Sequence, residues 1–210
     1  EGGACRVSPP RVLGRAEWRY FRHPGTDRAT LSSTDRGFHL SGRANIRFPE
    51  GPTGIAYAIS CDPRWRPRAA RIDLHRGRDE RFLRIEIQDG SWTIDGFRSR
   101  ELEGFTDVDL SVSPSTNTLA LRRLGLPVGG AAEIDVGWVV FPDLEVRAVR
   151  QRYTRLAPSH YRYEGLHNGF VAEFDVDELG LVTEYPEFWA RLPPSRSTSA
   201  RPSRSLRGRA

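Results

Sequence analysis

Two acids and two arginines stand close together in one stretch, as Asp107-Val-Asp-Leu110 and Arg122-Arg-Leu124. On a strand, residues two apart share a face, so Asp107 and Asp109 point the same way. Two such carboxylates can divide acid and base work or hold a metal. Their simpler role is to bond turn amides and an arginine. Arg122 and Arg123 are neighbours, so on a strand they take opposite faces, one towards the acids and one towards solvent. Asp109 with Arg122 or Arg123 then forms a structural ion pair that fixes register. If the same groups line a cavity, the arginine is a natural anchor for a phosphate or carboxylate head group. Between them, Ser113-Pro-Ser-Thr-Asn-Thr118 is turn chemistry: proline fixes one φ and Asn117 can bond local backbone.

A second candidate set is aromatic: Tyr57, Trp65, Trp92, Trp138, Tyr153, Tyr163, Phe170 and Phe174. For any one ring, core is the simpler reading. In a β fold that side chains do not fill, however, aromatic walls with a few polar tips suit a lipid tail or a sugar face. Nucleophilic catalysis finds little support, because the chain has no G-x-S-x-G elbow, P-loop or G-x-G-x-x-G. His23, His39, His75, His160 and His167 are scattered and never at ligand spacing. Cys5 and Cys61 make neither a disulfide framework nor a zinc motif, and Cys61 reads as a small buried residue. No metal and no cofactor is expected.

The elements that must position these groups are strands. Arg81-Phe-Leu-Arg-Ile-Glu-Ile-Gln88 alternates, with Leu83, Ile85 and Ile87 on one face. Strands are expected at 37–48, 53–61, 69–76, 81–88, 91–94, 108–112, 118–124, 132–141, 144–156, 160–165, 169–176 and 179–184. Asp89-Gly90 is a type I′ hairpin signal, and Asp95-Gly96 and Gly129-Gly130 are further turns. No window gives a long helix. The fold class is therefore all-β: a single-domain antiparallel barrel or roll of many short strands with an internal apolar cleft. Its two halves can be laid on one another, 70–90 on 161–177, although any two β-meanders look alike.

The 210 residues suffice for one domain with a sizeable core. All 32 basic residues are arginine, and the net charge is +5. The last twenty residues carry six arginines and no acid, which leaves residues 1–190 at −1. A nearly neutral body lacks the electrostatic footprint of a nucleic-acid binder. Residues 1–12 read as a disordered lead-in and 193–210 as a disordered Arg/Ser/Pro tail, with the folded domain at 13–192. The tail could touch anionic surfaces, but a solvated end is the simpler reading. No stretch approaches eighteen apolar residues, so no transmembrane helix is expected. The first ten residues show no apolar signal-peptide core. The chain contains no Met, so its first residue need not be the original start. Together with the cysteine usage, these features fit a cytoplasmic location.

The stretch that opened this reading also carries a resemblance. Asp107-Val-Asp-Leu, Thr116-Asn-Thr-Leu and Arg122-Arg-Leu124 look like the signature of the bacterial family called putative glycolipid-binding proteins. Tyr57-Ala-Ile-Ser-Cys-Asp-Pro-Arg-Trp65 and Asp89-Gly-Ser-Trp-Thr-Ile-Asp-Gly96 match upstream. Gln151-Arg-Tyr153, Tyr161-Arg-Tyr163 and Gly180-Leu-Val-Thr-Glu-Tyr-Pro186 match downstream. The likeness runs over about residues 14–192. Ser115 departs from the pattern where an aromatic is expected, as does Ala120 where a proline is expected. The resemblance implies non-catalytic binding of a lipid or glycolipid and supplies no catalytic residues. The expected ligand contacts are Arg122 or Arg123, Asn117, Gln151, Asp107 and Asp109 at the head group, and Tyr57, Trp65, Trp92 and Tyr153 along the tail. Two other classes stay open. One is an enzyme on a small hydrophobic substrate with Asp107 or Asp109 as acid or base, favoured by a cavity carboxylate of raised pKa. The other is a structural module whose interior is filled.

Overall fold

Alternation at period two sets the architecture. In the segment 79–88, Leu83, Ile85 and Ile87 are buried while Arg84, Glu86 and Gln88 face water. The computed structural model describes residues 9–194. The first strands are β1 (Arg11–Tyr20), β2 (Gly25–Thr34), β3 (Gly37–Phe48), β4 (Gly51–Cys61), β5 (Pro67–Arg76), β6 (Asp79–Gln88), β7 (Ser91–Ile94) and β8 (Phe97–Ser99). They form an antiparallel meander in which each strand pairs with the next. β9 (Asp107–Leu110) leads into a 3-10 turn (Pro114–Thr116) and a helix, α1 (Asn117–Leu124). A second meander follows: β10 (Ala131–Val140), β11 (Glu145–Ala157), β12 (His160–Gly165), β13 (Phe170–Val176), β14 (Val182–Tyr185) and β15 (Trp189–Arg191).

Pairing of β1 with β15 fuses the two meanders into one sheet, and β9 lies parallel to β10 at the far edge. The helical crossover between β9 and β10 is what a parallel pair requires. The stretches 70–90 and 161–177 lie in corresponding meanders on either side of the β1–β15 pair. Asp89-Gly90 and Asp95-Gly96 each have both residues at positive φ (50° and 84°, 49° and 84°), as the type I′ reading requires.

The sheet is a roll and not a closed barrel, since β8 and β9 are its edges and no ladder joins them. Side chains close the seam instead. Trp92 on β7 is fully buried and its Nε1 donates to the Phe105 carbonyl at 2.8 Å. Its ring sits over Gly137 of β10, where an added Cβ would lie 2.5 Å from the indole. Arg81 of β6 donates to the Asp143 carbonyl at 2.5 Å, across the same gap.

The strand expected at 118–124 is a helix. Ser113 caps the preceding turn by accepting from the Ser115 N–H, Pro114 opens it, and Gly125 ends α1 in the left-handed region at φ 54°. Arg122 and Arg123 lie in the last turn, where cations suit the helix dipole. Asn117 to Leu121 are buried without a break, so this end of α1 is enclosed on all sides and plugs the roll. β1 and β2 carry no strong sequence signal, and β1 begins inside the lead-in expected over 1–12. Residues 1–8 and the tail from 195 lie outside the described residues. Arg191, grouped with that tail on charge, ends β15 and bonds Asp177 at 2.5 Å.

Candidate functional site

The plug divides the interior. Phe48 and Phe38 are ten positions apart on β3, about 33 Å of strand, and they mark opposite ends of the roll. At the Phe38 end the ring stacks on Trp65 at 3.6 Å, and Arg122 lies 5.9 Å above the same indole. At the Phe48 end a cleft of about 310 Å³ remains open.

Its floor is the segment from β9 into α1: Asp109, Leu110, Ser111, Val112, Ser113, Pro114 and Asn117. Trp138 and Val140 of β10, with Tyr163, Phe170, Tyr185 and Trp189 from the second meander, make its walls. The rings support one another: Tyr20 stacks on Trp189 at 4.1 Å, and Phe170 meets Phe188 edge-on at 5.1 Å. His23, His167 and Asn168 stand in the turns that frame the mouth.

Two polar networks hold the floor. In the first, Asp109 accepts from Thr116 Oγ1 at 2.6 Å and from Gln151 Nε2 at 2.9 Å. Beside it the Tyr153 hydroxyl donates to Asn117 Oδ1 at 2.8 Å, and Asn117 Nδ2 donates to the Pro114 carbonyl at 3.1 Å. Asp109 is surrounded by protein yet reached from the cleft. Desolvation raises its pKa, opposed by the Thr116 and Gln151 bonds and the Leu110 N–H and reinforced by the nearby charge of Asp107. In the second network Asp27 is fully buried, and its side-chain partners among the described residues are hydroxyls. Ser113 Oγ donates to its Oδ2 at 2.5 Å, and the Tyr57 hydroxyl lies 3.1 Å from both its oxygens. The Tyr57 hydroxyl also meets Ser113 Oγ and Ser115 Oγ, each at 2.9 Å. Burial pushes the Asp27 carboxyl up to about 7, against the bonds from Ser113, Tyr57 and the Arg28 backbone.

Of the residues singled out in the sequence, Asp109 and Asn117 line the cleft. Gln151 and Tyr153 lie directly behind them as their hydrogen-bond partners. The ion pair exists, but between Asp107 and Arg123 and not through Asp109. Arg123 donates through Nε and Nη2 to the two Asp107 oxygens at 2.9 and 2.6 Å, and Thr106 adds a third bond at 2.6 Å. Arg122 donates to the carbonyls of Leu179 and Glu178 at 2.8 and 2.6 Å. It borders a separate groove of about 440 Å³ with Arg155, Asp177 and Glu178. Trp92 closes the seam, Tyr57 serves the Asp27 cluster and Trp65 stacks at the opposite end, so none of these three borders the cleft. Cys61 is buried, and desolvation pushes its thiol up to about 12. Of the wider aromatic set, Trp138, Tyr163 and Phe170 face the cleft, while Phe174 is core.

Sequence reasoning missed Asp27, Tyr20, Phe48, Tyr185, Phe188 and Trp189, and it set aside His23 and His167 as scattered histidines although both line the cleft. The crowding of rings in Tyr185-Pro-Glu-Phe-Trp189 and Trp18-Arg-Tyr-Phe21 was a signal for some of them. Asp27 sits in an ordinary Gly-Thr-Asp-Arg stretch and gave none.

A family model described as "Putative glycolipid-binding" matches residues 15–191. No match is found among curated proteins. Among solved structures, the chain is similar to the crystal structure of a DUF1089 family protein from Pseudomonas aeruginosa. The two are 32% identical with a TM-score of 0.71, over 91% of this chain and 98% of that one.

Proposed function

The chain belongs to the family described as "Putative glycolipid-binding", and from that membership we propose that it binds a lipid-like amphiphile in the cleft between β9, β10 and the second meander, without catalysis. One observation carries the reading: the packed interior leaves a concave space walled by aromatic rings, with a small group of converging polar side chains at its floor. That is the composition of small-molecule sites in general. At about 310 Å³ it lies at the low end of the range for such sites, ~300–1,000 Å³, so it holds one moiety of a glycolipid and not the whole molecule. In this reading Asp109 and Asn117 contact the ligand, and Gln151 and Tyr153 fix their orientation. Arg122 and Arg123 anchor the plug.

Native mass spectrometry of freshly purified protein, followed by organic extraction, tests the proposal. A co-purifying amphiphile of defined mass is expected in the wild type and absent from Val140→Trp, which fills the cleft. Retention of the same molecule by that variant would move the site elsewhere.

A second reading is favoured by Asp109 itself, a cleft carboxylate whose pKa is raised by desolvation. Such groups are suited to proton transfer, and a small glycoside or ester would be the substrate class. Release of p-nitrophenolate from p-nitrophenyl glycosides or esters, abolished in Asp109→Asn, would favour it over simple binding.

A further inference from the structure

The polarity of the cleft runs opposite to that of a pocket built for a hydrocarbon tail. Asp109 accepts from Thr116, Gln151 and the Leu110 N–H, and its two oxygens keep acceptor capacity for a further bond. The Asn117 amide has one N–H beyond that given to Pro114. The hydroxyls of Tyr163 and Tyr185 face the same space and have no hydrogen-bond partner among the described residues. Tyr185 is only 7% exposed. Both tyrosines lie near enough to Asp109 that its charge adds to burial in raising their pKa values. A ligand that displaces water from these groups must return the hydrogen bonds the water made, so this floor is matched by a ligand that supplies donors and acceptors together.

Charge narrows the choice. The titratable groups lining the cleft are Asp109, His23, His167, Tyr20, Tyr163 and Tyr185, and no arginine is among them. Arg22 stands near its margin, 4.5 Å over the Phe188 ring and 54% exposed, where it pairs with Glu187 at 3.8 Å. An anionic head pushed to the floor would face a carboxylate with no cation to offset it. A hydrocarbon there would remove water from four polar side chains and return no hydrogen bond. The mouth, by contrast, is apolar on its outer side. Phe21 is bonded through its N–H to the Phe188 carbonyl and is 52% exposed, and Leu166, next to His167, is 40% exposed.

We propose that the ligand enters head-first: an uncharged, hydroxylated head group rests on the Asp109–Asn117–Tyr163–Tyr185 floor, and its hydrocarbon chain leaves through the mouth past Phe21 and Leu166. The inference rests on the cleft being the amphiphile site. Hydroxyls that both donate and accept match the floor, donating to Asp109 and accepting from the tyrosines. The CH faces of a sugar ring match the walls of Trp138 and Phe170. The chain at the mouth can stay in a membrane or micelle while the head is bound.

Calorimetric titration of the full chain with octyl β-D-glucoside and its galactoside, octyl phosphate and octanol, all below micellar concentration, tests this. At least one glycoside is expected to bind at least tenfold more tightly than octyl phosphate or octanol. The free methyl glycoside is expected to compete with it. Asp109→Asn is expected to weaken the glycoside at least tenfold and leave octanol unchanged. Octyl phosphate or octanol binding as tightly as the glycosides, with Val140→Trp blocking them all, would overturn the head-first arrangement and leave the cleft as the site. Binding by none of the four, or binding that Val140→Trp leaves intact, would overturn both. The wild-type comparison decides the question if Asp109→Asn fails to fold.

Discussion

Two carboxylates near the roll's centre are held in two different ways, and each way has a measurable consequence. Asp107 is buried and held by the two-pronged Arg123 guanidinium, itself 17% exposed. Removing one member of such a pair leaves an uncompensated buried charge, so Arg123→Ala should cost about 3–5 kcal/mol in chemical denaturation. Arg122→Ala removes bonds to backbone carbonyls at the surface and should cost much less. Asp27 has no cation and is pushed up to about 7 from an ordinary 3.8. Between these values the folded protein keeps a proton that the unfolded chain has released. Asp27's contribution to stability is therefore full below about pH 4, declines as pH rises towards 7 and is flat above it. The decline amounts to about 4 kcal/mol, and Asp27→Asn should remove it from the stability-versus-pH curve. An unchanged slope between pH 4 and 7 in that variant would refute this account of the cluster. Cys61, its thiol raised to about 12, should resist alkylation at pH 8 until the protein unfolds.

The helix at 117–124 decides what the acids and arginines face, and it was the element least legible in advance. A Ser-Pro cap before it, a glycine after it and two arginines in its last turn were all present. At eight residues, however, it is too short for its periodicity to outweigh a strand-like run of Leu119, Leu121 and Leu124. Reading it as a strand sent Arg122 and Arg123 to opposite faces. On a helix they lie about 100° apart, one reaching Asp107 and the other the β13–β14 turn. Strands with strong alternation, such as β4 and β6, were legible because their buried faces repeat every second residue. β1 and β2 were not, because glycines, arginines and small polar residues dilute the pattern. The seam of the roll depends on Gly137 admitting the Trp92 ring. Gly137→Ala should therefore destabilise by about 1–3 kcal/mol, seen as a lowered denaturation midpoint. A neutral result would mean that the indole can shift without loosening the edge.

At the scale of the whole chain, the cleft exists because β1 pairs with β15. That pairing brings Tyr20 and His23 to Tyr185 and Trp189, more than 160 residues away in the sequence. Local pattern shows the strands but not their order around the roll, so one wall of the site was out of reach. The family description and the aromatic cleft are the support for the proposal of ligand binding at the Phe48 end, away from the Trp65–Arg122 end. Among the described residues no helix is long and apolar enough to cross a membrane. The most direct test of the central claim is a ¹H–¹⁵N NMR titration of the full chain with octyl β-D-glucoside below its micellar concentration. The account predicts shifts concentrated in residues 109–117, in the Trp138 and Trp189 indoles and in the turn at 166–170. Shifts clustered instead around Trp65, Arg122 and Arg155 would contradict it.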